Sequence, residues 1–313
     1  MFDKPMGGTE LMYSELMKRL PQKYKSHFSI FNYFNQVDTS KKLIYWNQLS
    51  YDQDAVQVLK DQSIIDQIDA FVFVSNWQSE WFRKQFNIPG YKTYVIKNAF
   101  IDSNYKNFDD YKDKIKICYT STPWRGLDVL LQSWEDLQPE NCELHIFSST
   151  KIYGNDFSSS EEEKFNHLYE KAKSLPNVVY RGSIPNDELL TELPKFHIMA
   201  YPCTFEETSC ISVIEALSSG LRVVTSNLGA LPETTEGWAK IYPYLVNKEL
   251  HSIRFSKILF DEINKIKRGE LKDHLRLQKE IYSSRWNWNE RIKEWINFLD
   301  TLNPVEQSTS EQT

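Results

Sequence analysis

Short apolar, β-branched runs alternate with segments of helical period along most of the chain, and this alternation constrains the fold more than any other feature. In a parallel sheet each buried strand is followed by a crossover helix, so strand and helix signals take turns. The runs 70–74 (AFVFV) and 221–225 (LRVVT) have the length of strands, whereas 127–137 (LDVLLQSWEDL) has the length and period of a helix. The sequence therefore predicts an α/β protein with parallel sheets.

The chain has 313 residues, which is enough for two domains. Residues 102–112 (DSNYKNFDDYK) are polar and have no period, as is typical of a linker. We therefore predict a first domain at 1–105 and a second at 106–280. A helix follows within 281–301, and the polar end at 302–313 is predicted to be disordered.

The predicted elements of the first domain are helices at 9–20 and 77–86 and strands at 28–33, 43–46, 70–74 and 93–97. Those of the second domain are strands at 116–120, 143–148, 178–181, 196–201 and 221–225, and helices at 127–137, 161–174, 186–193 and 210–218. Gly220 is placed to end the last of these helices.

Charge and composition argue against several classes of protein. A formal net charge of −6 disfavours a nucleic-acid partner, because such proteins present a basic face to phosphates. No apolar run approaches the roughly 18 residues of a membrane helix, and the first residues lack the features of a signal peptide. The four cysteines and six histidines form no metal-ligand spacing. We expect a cytoplasmic protein without a metal site.

Two glutamates mark the segment from 201 to 220. Glu207 lies in the loop before the predicted helix 210–218, and Glu215 lies in the middle of that nearly all-apolar helix. A buried carboxylate needs donors, and the two hydroxyls of a ribose would supply them. The alternative is that Glu207 stabilises the helix start and that Glu215 pairs with an arginine.

A second loop, 121–126 (STPWRG), follows the predicted strand 116–120. Arg125 would place a permanent cation beside the N–H groups of the next helix, and Gly126 would permit close backbone approach. A diphosphate suits such a site. The alternative is a surface arginine on a turn.

Together these stretches resemble the GT-B glycosyltransferases of glycosyltransferase family 4. The similarity is strongest over 201–233 (YPCTFEETSCISVIEALSSGLRVVTSNLGALPE), where two glutamates are separated by seven residues and followed by a Gly-Ala-Leu-Pro-Glu loop. It extends to 121–134 (STPWRGLDVLLQSW), 74–82 (VSNWQSEWF), 96–100 (IKNAF) and 7–10 (GGTE). The resemblance implies two Rossmann-like domains facing a cleft, with a reduced first domain, and a C-terminal helix that crosses back to it.

The resemblance also implies roles for individual residues. Glu207 would bind hydroxyls of the donor sugar, Glu215 the nucleotide ribose, and Arg125 the leaving diphosphate. The other implied donor-binding residues are Gly8, Ser121, Thr122, Gly126, Ser183, Ser209 and Cys210.

Enzymes of this family retain the anomeric configuration and need no metal, and the leaving phosphate helps to deprotonate the acceptor. The implied reaction moves a hexose from UDP or GDP to a glycan or lipid-linked acceptor, in surface-polysaccharide biosynthesis.

The sequence departs from the family pattern in its first domain. Only six residues precede Gly7, so the strand expected there is missing or shortened. The histidine expected near 45–54 (YWNQLSYDQD) is absent. Asn47, Gln48 or Asp52 could replace it, and Gln48 and Asp52 are the preferred candidates on the acceptor or sugar side. A non-catalytic nucleotide-sugar-binding protein is therefore the competing hypothesis. The basic stretch 16–25 (LMKRLPQKYK) is either a solvated helix end or a peripheral contact with an anionic membrane.

Overall fold

The computed structural model describes residues 7–101, 114–150 and 155–302. The predicted linker and all but the first residue of the predicted tail lie outside these ranges. The last helix extends through Leu302, so that residue is helical. Within the described residues, no helix is both long enough and apolar enough to cross a membrane.

The first sheet has four parallel strands in simple chain order. All four predicted strands are present, each shifted by one to two residues at its ends. They are β1 (Phe28–Phe31), β2 (Lys42–Asn47), β3 (Ala70–Phe73) and β4 (Thr93–Val95). Residues 1–6, where a preceding strand would lie, are outside the described residues.

The second sheet has six parallel strands in the order β10-β9-β8-β5-β6-β7. From the central β5 the chain moves outward through β6 and β7, and then returns to the other side of β5 with β8. The order therefore reverses between β5 and β8, and ligands of such sheets bind beyond the strand ends at this point. The strands are β5 (Ile115–Thr120), β6 (Cys142–Phe147), β7 (Val178–Tyr180), β8 (Ile198–Tyr201), β9 (Arg222–Ser226) and β10 (Lys240–Tyr242).

Twelve α-helices occur in the described residues, and two long ones have no counterpart among the predicted elements. These two helices, α10 and α11, have apolar residues at helical spacing. The buried face of α10 packs on α5 and that of α11 packs on α8, and the sequence does not reveal these partners. The helices are α1 (Gly8–Arg19), α2 (Gln22–His27), α3 (Gln62–Gln67), α4 (Asn76–Phe86), α5 (Leu127–Leu137), α6 (Asn155–Ser174), α7 (Asn186–Glu192), α8 (Ile211–Ser218), α9 (Leu231–Thr235), α10 (Lys248–Lys267), α11 (Lys272–Trp286) and α12 (Trp288–Leu302).

The final helix packs against the first sheet although it follows the second in sequence. Trp295 of α12 lies edge-on to Trp46 of β2, with ring centroids 5.0 Å apart. Trp288 and Leu299 join the same buried cluster as Leu11 and Leu16 of α1. The chain changes direction at Asn287, which forms an isolated parallel bridge with Phe100. We refer below to residues 7–101 with α12 as the first half, and to residues 114–286 as the second half.

Polar contacts hold the two halves together beside the cleft. The carboxylate of Glu233 in α9 accepts hydrogen bonds from the backbone N–H and side-chain amide of Asn76, at 2.9 and 2.8 Å. Asn76 begins α4, so the carboxylate sits at the positive end of that helix. Lys97 pairs with Glu236 at 3.1 Å. These contacts fix the strand ends of one sheet opposite those of the other.

Candidate functional site

A cavity of about 730 Å³ lies between the two halves and is lined by residues of both. It opens at the point in the second sheet where the strand order reverses, because the loops after β5 and β8 form one of its walls. Ten of the twelve candidate residues line it: Gly8, Gln48, Ser121, Thr122, Arg125, Ser183, Glu207, Ser209, Cys210 and Glu215. The site therefore assembles from segments that are far apart in the chain.

Arg125 and Glu207 form an ion pair inside the cavity. Nη1 of Arg125 donates to both carboxylate oxygens of Glu207, at 3.0 and 3.3 Å. The Glu207 side chain is 4% exposed, whereas that of Arg125 is 24% exposed. Tyr201, the last residue of β8, donates its hydroxyl to the same carboxylate, and the guanidinium lies 4.6 Å from the ring centroid of Phe205. Both charged groups are thus held in fixed positions, and part of the guanidinium faces the open cavity.

Two glycines set the backbone around this ion pair. Gly229 has a φ of +58°, and a Cβ there would lie 2.4 Å from the carbonyl oxygen of Glu207. The next N–H, that of Ala230, donates to that carbonyl at 2.7 Å. Gly126 has a φ of +110°, and its Cβ would lie 2.1 Å from the carbonyl oxygen of Pro202. Gly126 therefore packs the β5 loop against the β8 loop and does not line the cavity, so the donor-binding role predicted for it stays a prediction.

Glu215 is buried in α8, and its partner is an amide and not an arginine. The side chain of Asn186, at the start of α7, donates to Glu215 at 3.0 Å. Among the described residues no cation forms an ion pair with Glu215. Burial raises the pKa of this carboxyl to about 7, while the hydrogen bond from Asn186 acts in the opposite direction. The carboxyl can therefore accept further hydrogen bonds from a ligand in the cavity.

Two helices without side-chain caps begin on opposite sides of the cleft. Gly7 precedes α1 and Cys210 precedes α8, and neither supplies a side-chain hydrogen bond to the helix start. A Cβ on Gly8 would lie 2.8 Å from Cδ1 of Ile211, so the two helix starts nearly touch. Free N–H groups and the partial positive charge of each helix make this an environment for an anion.

Several buried hydroxyls that line the cavity have no hydrogen-bonding partner among the described residues. They are those of Ser50, Thr120, Thr122, Ser148 and Ser209. Buried polar groups are almost always paired, and an unpaired one costs roughly 1–3 kcal/mol. A concentration of such groups on one cavity indicates that a polar ligand belongs there.

Gln48 and Asp52, the two candidates for the first half, have different positions. Gln48 lines the cavity and exchanges two hydrogen bonds of 3.0 Å with the buried amide of Asn98. Its backbone carbonyl accepts from Thr208 of the second half at 3.0 Å. Asp52 is exposed and does not line the cavity. The chain turns after Ser50, and residues 53–55 form this part of the wall instead of Asp52, whose role stays a prediction.

The basic end of α1 is partly neutralised. Lys18 and Arg19 both pair with the buried carboxylate of Glu15, and Arg19 lies 5.3 Å from the ring centroid of Trp288. These contacts pack part of the helix end, and the peripheral membrane contact stays a prediction.

Sequence reasoning missed several residues of the site. Tyr201 and Asn186 orient the two glutamates, and Glu10, Tyr33 and Ser50 line the wall of the first half. The positions of Tyr201 and Asn186, at a strand end and a helix start, offer a weak signal in the sequence. The others depend on how the two halves approach each other, which no local pattern encodes.

Part of the chain matches a known protein family. Residues 114–251 match the family model described as glycosyl transferases group 1. That range contains the loops of Arg125 and Glu207 together with α8. A search of curated protein sequences finds no significant match.

Solved structures resemble the chain over nearly its whole length. A glycosyltransferase from Rickettsia africae ESF-5 is similar with a TM-score of 0.71 and 13% identity, covering 97% of this chain and 85% of that one. The sucrose-phosphate synthase of Thermosynechococcus elongatus gives 0.66 and 14%, covering 94% and 78%. Anabaena Alr3699/HepE in complex with UDP and glucose gives 0.64 and 14%, covering 96% and 84%. The chain therefore has the GT-B fold, and over residues 114–251 it is similar to the glycosyl transferases group 1 family.

Proposed function

We propose that the protein is a retaining glycosyltransferase that moves a hexose from a nucleoside-diphosphate sugar to a hydroxyl of a glycan or lipid-linked acceptor. The observation that carries this proposal is that Arg125, Glu207 and Glu215 line one cavity at the reversal point of the second sheet. These three groups match the requirements of the three parts of such a donor: the diphosphate, the sugar and the ribose.

The donor would lie along the wall of the second half. Glu215 would accept hydrogen bonds from the ribose hydroxyls, and the polar groups of Ser148 and Ser183 would lie near the base. The diphosphate would lie between the helix starts of α1 and α8, beside the guanidinium of Arg125. Glu207 would accept from hydroxyls of the transferred sugar. UDP is the favoured nucleotide, because the similar Anabaena protein binds UDP and glucose, and GDP is the alternative.

Charge stabilisation would supply most of the catalysis. Negative charge develops on the diphosphate as the glycosidic bond breaks, and Arg125 with the helix N–H groups would stabilise it. No proton-accepting side chain is required in this scheme, because a phosphate oxygen can take the proton of the acceptor hydroxyl on the same face of the sugar. The scheme also requires no metal. We place the enzyme in surface-polysaccharide biosynthesis, in the cytoplasm.

The test measures release of free nucleotide from UDP- and GDP-hexoses, with and without acceptors, in the presence and absence of EDTA. We expect one donor to be hydrolysed or transferred, at a rate that EDTA leaves unchanged and that Glu207→Ala lowers by about 100-fold or more. NMR of the product should show the anomeric configuration of the donor. Donor binding without turnover across all donors and acceptors would instead support the non-catalytic binding protein.

A further inference from the structure

The wall of the cavity that belongs to the first half has carboxylates but no cation, whereas the wall that would hold the donor has both. We define the acceptor wall as residues 9–11, 33, 48–50 and 53–55. It contains the carboxylates of Glu10 and Asp54, and among its described residues there is no Lys, Arg or His. The wall of the second half carries Arg125 together with the carboxylates of Glu207, its ion-pair partner, and Glu215. A donor seated on the second half leaves the acceptor wall facing the other substrate.

The polar groups of this wall suit sugar hydroxyls. The hydroxyl of Tyr33 donates to Glu10 at 3.1 Å, which orients a carboxylate that retains sites for further donors. Ser50 is 2% exposed, lines the cavity and has a hydroxyl with no partner among the described residues. Leu11, Leu49 and Ala55 add apolar surface between these groups. A mixture of apolar contacts with a few oriented acceptors and hydroxyls fits a sugar ring.

The same wall disfavours anions. A phosphate or carboxylate next to the reacting hydroxyl would lie against the exposed carboxylates of Glu10 and Asp54. No described cation on that wall offsets the repulsion, and only the positive end of α1, which begins at Gly8, acts in the opposite direction. Like charges brought together at an interface oppose binding strongly enough to select partners.

We propose that the acceptor presents an uncharged sugar hydroxyl, and that Glu10 and Asp54 exclude acceptors with an anionic group adjacent to it. The inference rests on the proposed function and narrows it. In a lipid-linked acceptor, the diphosphate would have to lie at least one sugar unit away from the reacting hydroxyl.

The experiment compares matched pairs of methyl hexosides and methyl hexuronides in the gluco, galacto and manno series. Binding to the protein saturated with UDP or GDP is measured by calorimetry at low and high salt, and transfer is measured with the labelled donor. We expect the neutral member of at least one pair to be preferred by at least about tenfold, with a smaller preference at high salt.

Variants test whether the two carboxylates cause this preference. Glu10→Gln with Asp54→Asn should reduce it to about threefold or less. The matched control is Glu80→Gln, an exposed carboxylate of α4 outside the cavity, which should leave the preference unchanged. If Glu10 only stabilises the first turn of α1, Glu10→Gln should change the melting temperature of the protein but not its choice of acceptor.

Several results would overturn the inference: equal binding within every pair, no binding of any neutral member, preference for the uronide, or a preference unaffected by the double variant. Tighter binding of a matched 2-amino glycoside than of the neutral hexoside would also overturn it, because the wall would then be a cation site. These results can be distinguished from failure of the proposed function. If the proposed function is wrong, no nucleotide is released from any donor. If only the inference about the acceptor is wrong, donor hydrolysis that depends on Glu207 remains.

Discussion

Nη1 of Arg125 lies 3.0 Å from the carboxylate of Glu207, although 82 residues separate the two in sequence. The contact exists because β5 and β8, which precede these residues, are neighbours in the second sheet. Their carboxyl ends therefore deliver both loops to the same edge. The ion pair is the centre of the proposed site, and its removal provides the first test.

Replacement of one member of the pair should cost more than replacement of both. In Arg125→Gln the buried Glu207 carboxylate loses its cation, and we expect a loss of about 3 kcal/mol in the free energy of unfolding. The double variant with Glu207→Gln should recover part of that loss, since no charge is then left unpaired. Denaturant titration of the single and double variants measures the coupling. Lys171→Gln, which breaks an exposed pair with Glu135, is the control and should cost less than about 1 kcal/mol. Equal losses in the single and double variants would contradict this account.

Donor binding should weaken at acidic pH because of Glu215. Burial raises the pKa of its carboxyl from 4.5 to about 7, so below pH 7 the free protein holds a proton there. Two ribose hydroxyls prefer the ionised carboxylate, so binding releases that proton. The Kd for UDP-glucose should therefore rise up to tenfold per pH unit as pH falls below about 7, and should level off above it.

UDP-glucose is the appropriate probe, because its diphosphate does not titrate in this range whereas the terminal phosphate of UDP does. Glu215→Gln should bind more weakly at pH 8 and lose the pH dependence. A slope that persists in this variant would assign the titration to another group.

Gly126 should prove more sensitive to alanine than another glycine with positive φ. At Gly126 a methyl group would meet the Pro202 carbonyl at 2.1 Å, whereas at Gly182, with a φ of +66°, it would meet nothing within 4 Å. Gly182→Ala should cost about 1–2 kcal/mol of stability from the left-handed conformation alone. Gly126→Ala should cost clearly more and should lower activity by displacing the loop of Arg125. Thermal unfolding of the two variants measures the difference, and similar melting temperatures would show that the β5 and β8 loops are not packed as described.

The contact between Glu233 and the start of α4 should favour the closed arrangement of the two halves. The carboxylate of Glu233 accepts hydrogen bonds from the N–H groups of Asn76 and Trp77. Glu233→Gln removes its charge and should destabilise the arrangement in which the two halves are in contact by about 0.5–2 kcal/mol. We expect a larger radius of gyration by small-angle scattering without ligand, and a KM for the donor raised by roughly 3- to 30-fold. Glu188→Gln, an exposed carboxylate of α7, should change neither quantity. If both variants scatter alike, the contact has no influence on closure.

The local pattern of apolar and polar residues is sufficient to predict most of the strands and several of the helices. The alternation of strand and helix signals predicted all four strands of the first sheet and five of the six in the second, and helix α5 at its observed bounds. β10 and the helices α10 and α11 were not predicted. β10 has only three residues, at the edge of the sheet, and the two helices have charged sequences whose buried faces are defined by the helices they pack against.

The sequence by itself determined most of the strands and helices and singled out the charged residues of two loops and one helix, because spacing, charge and glycine positions are local properties. The tertiary structure decided the rest. It gave Glu215 an asparagine for a partner instead of an arginine, turned Gly126 into a packing residue, and left Asp52 in solvent while Glu10, Tyr33 and Ser50 face the cleft. Those outcomes depend on which strands pair and how two sheets approach each other, and such long-range choices follow from burial across the whole chain and not from any single stretch of it.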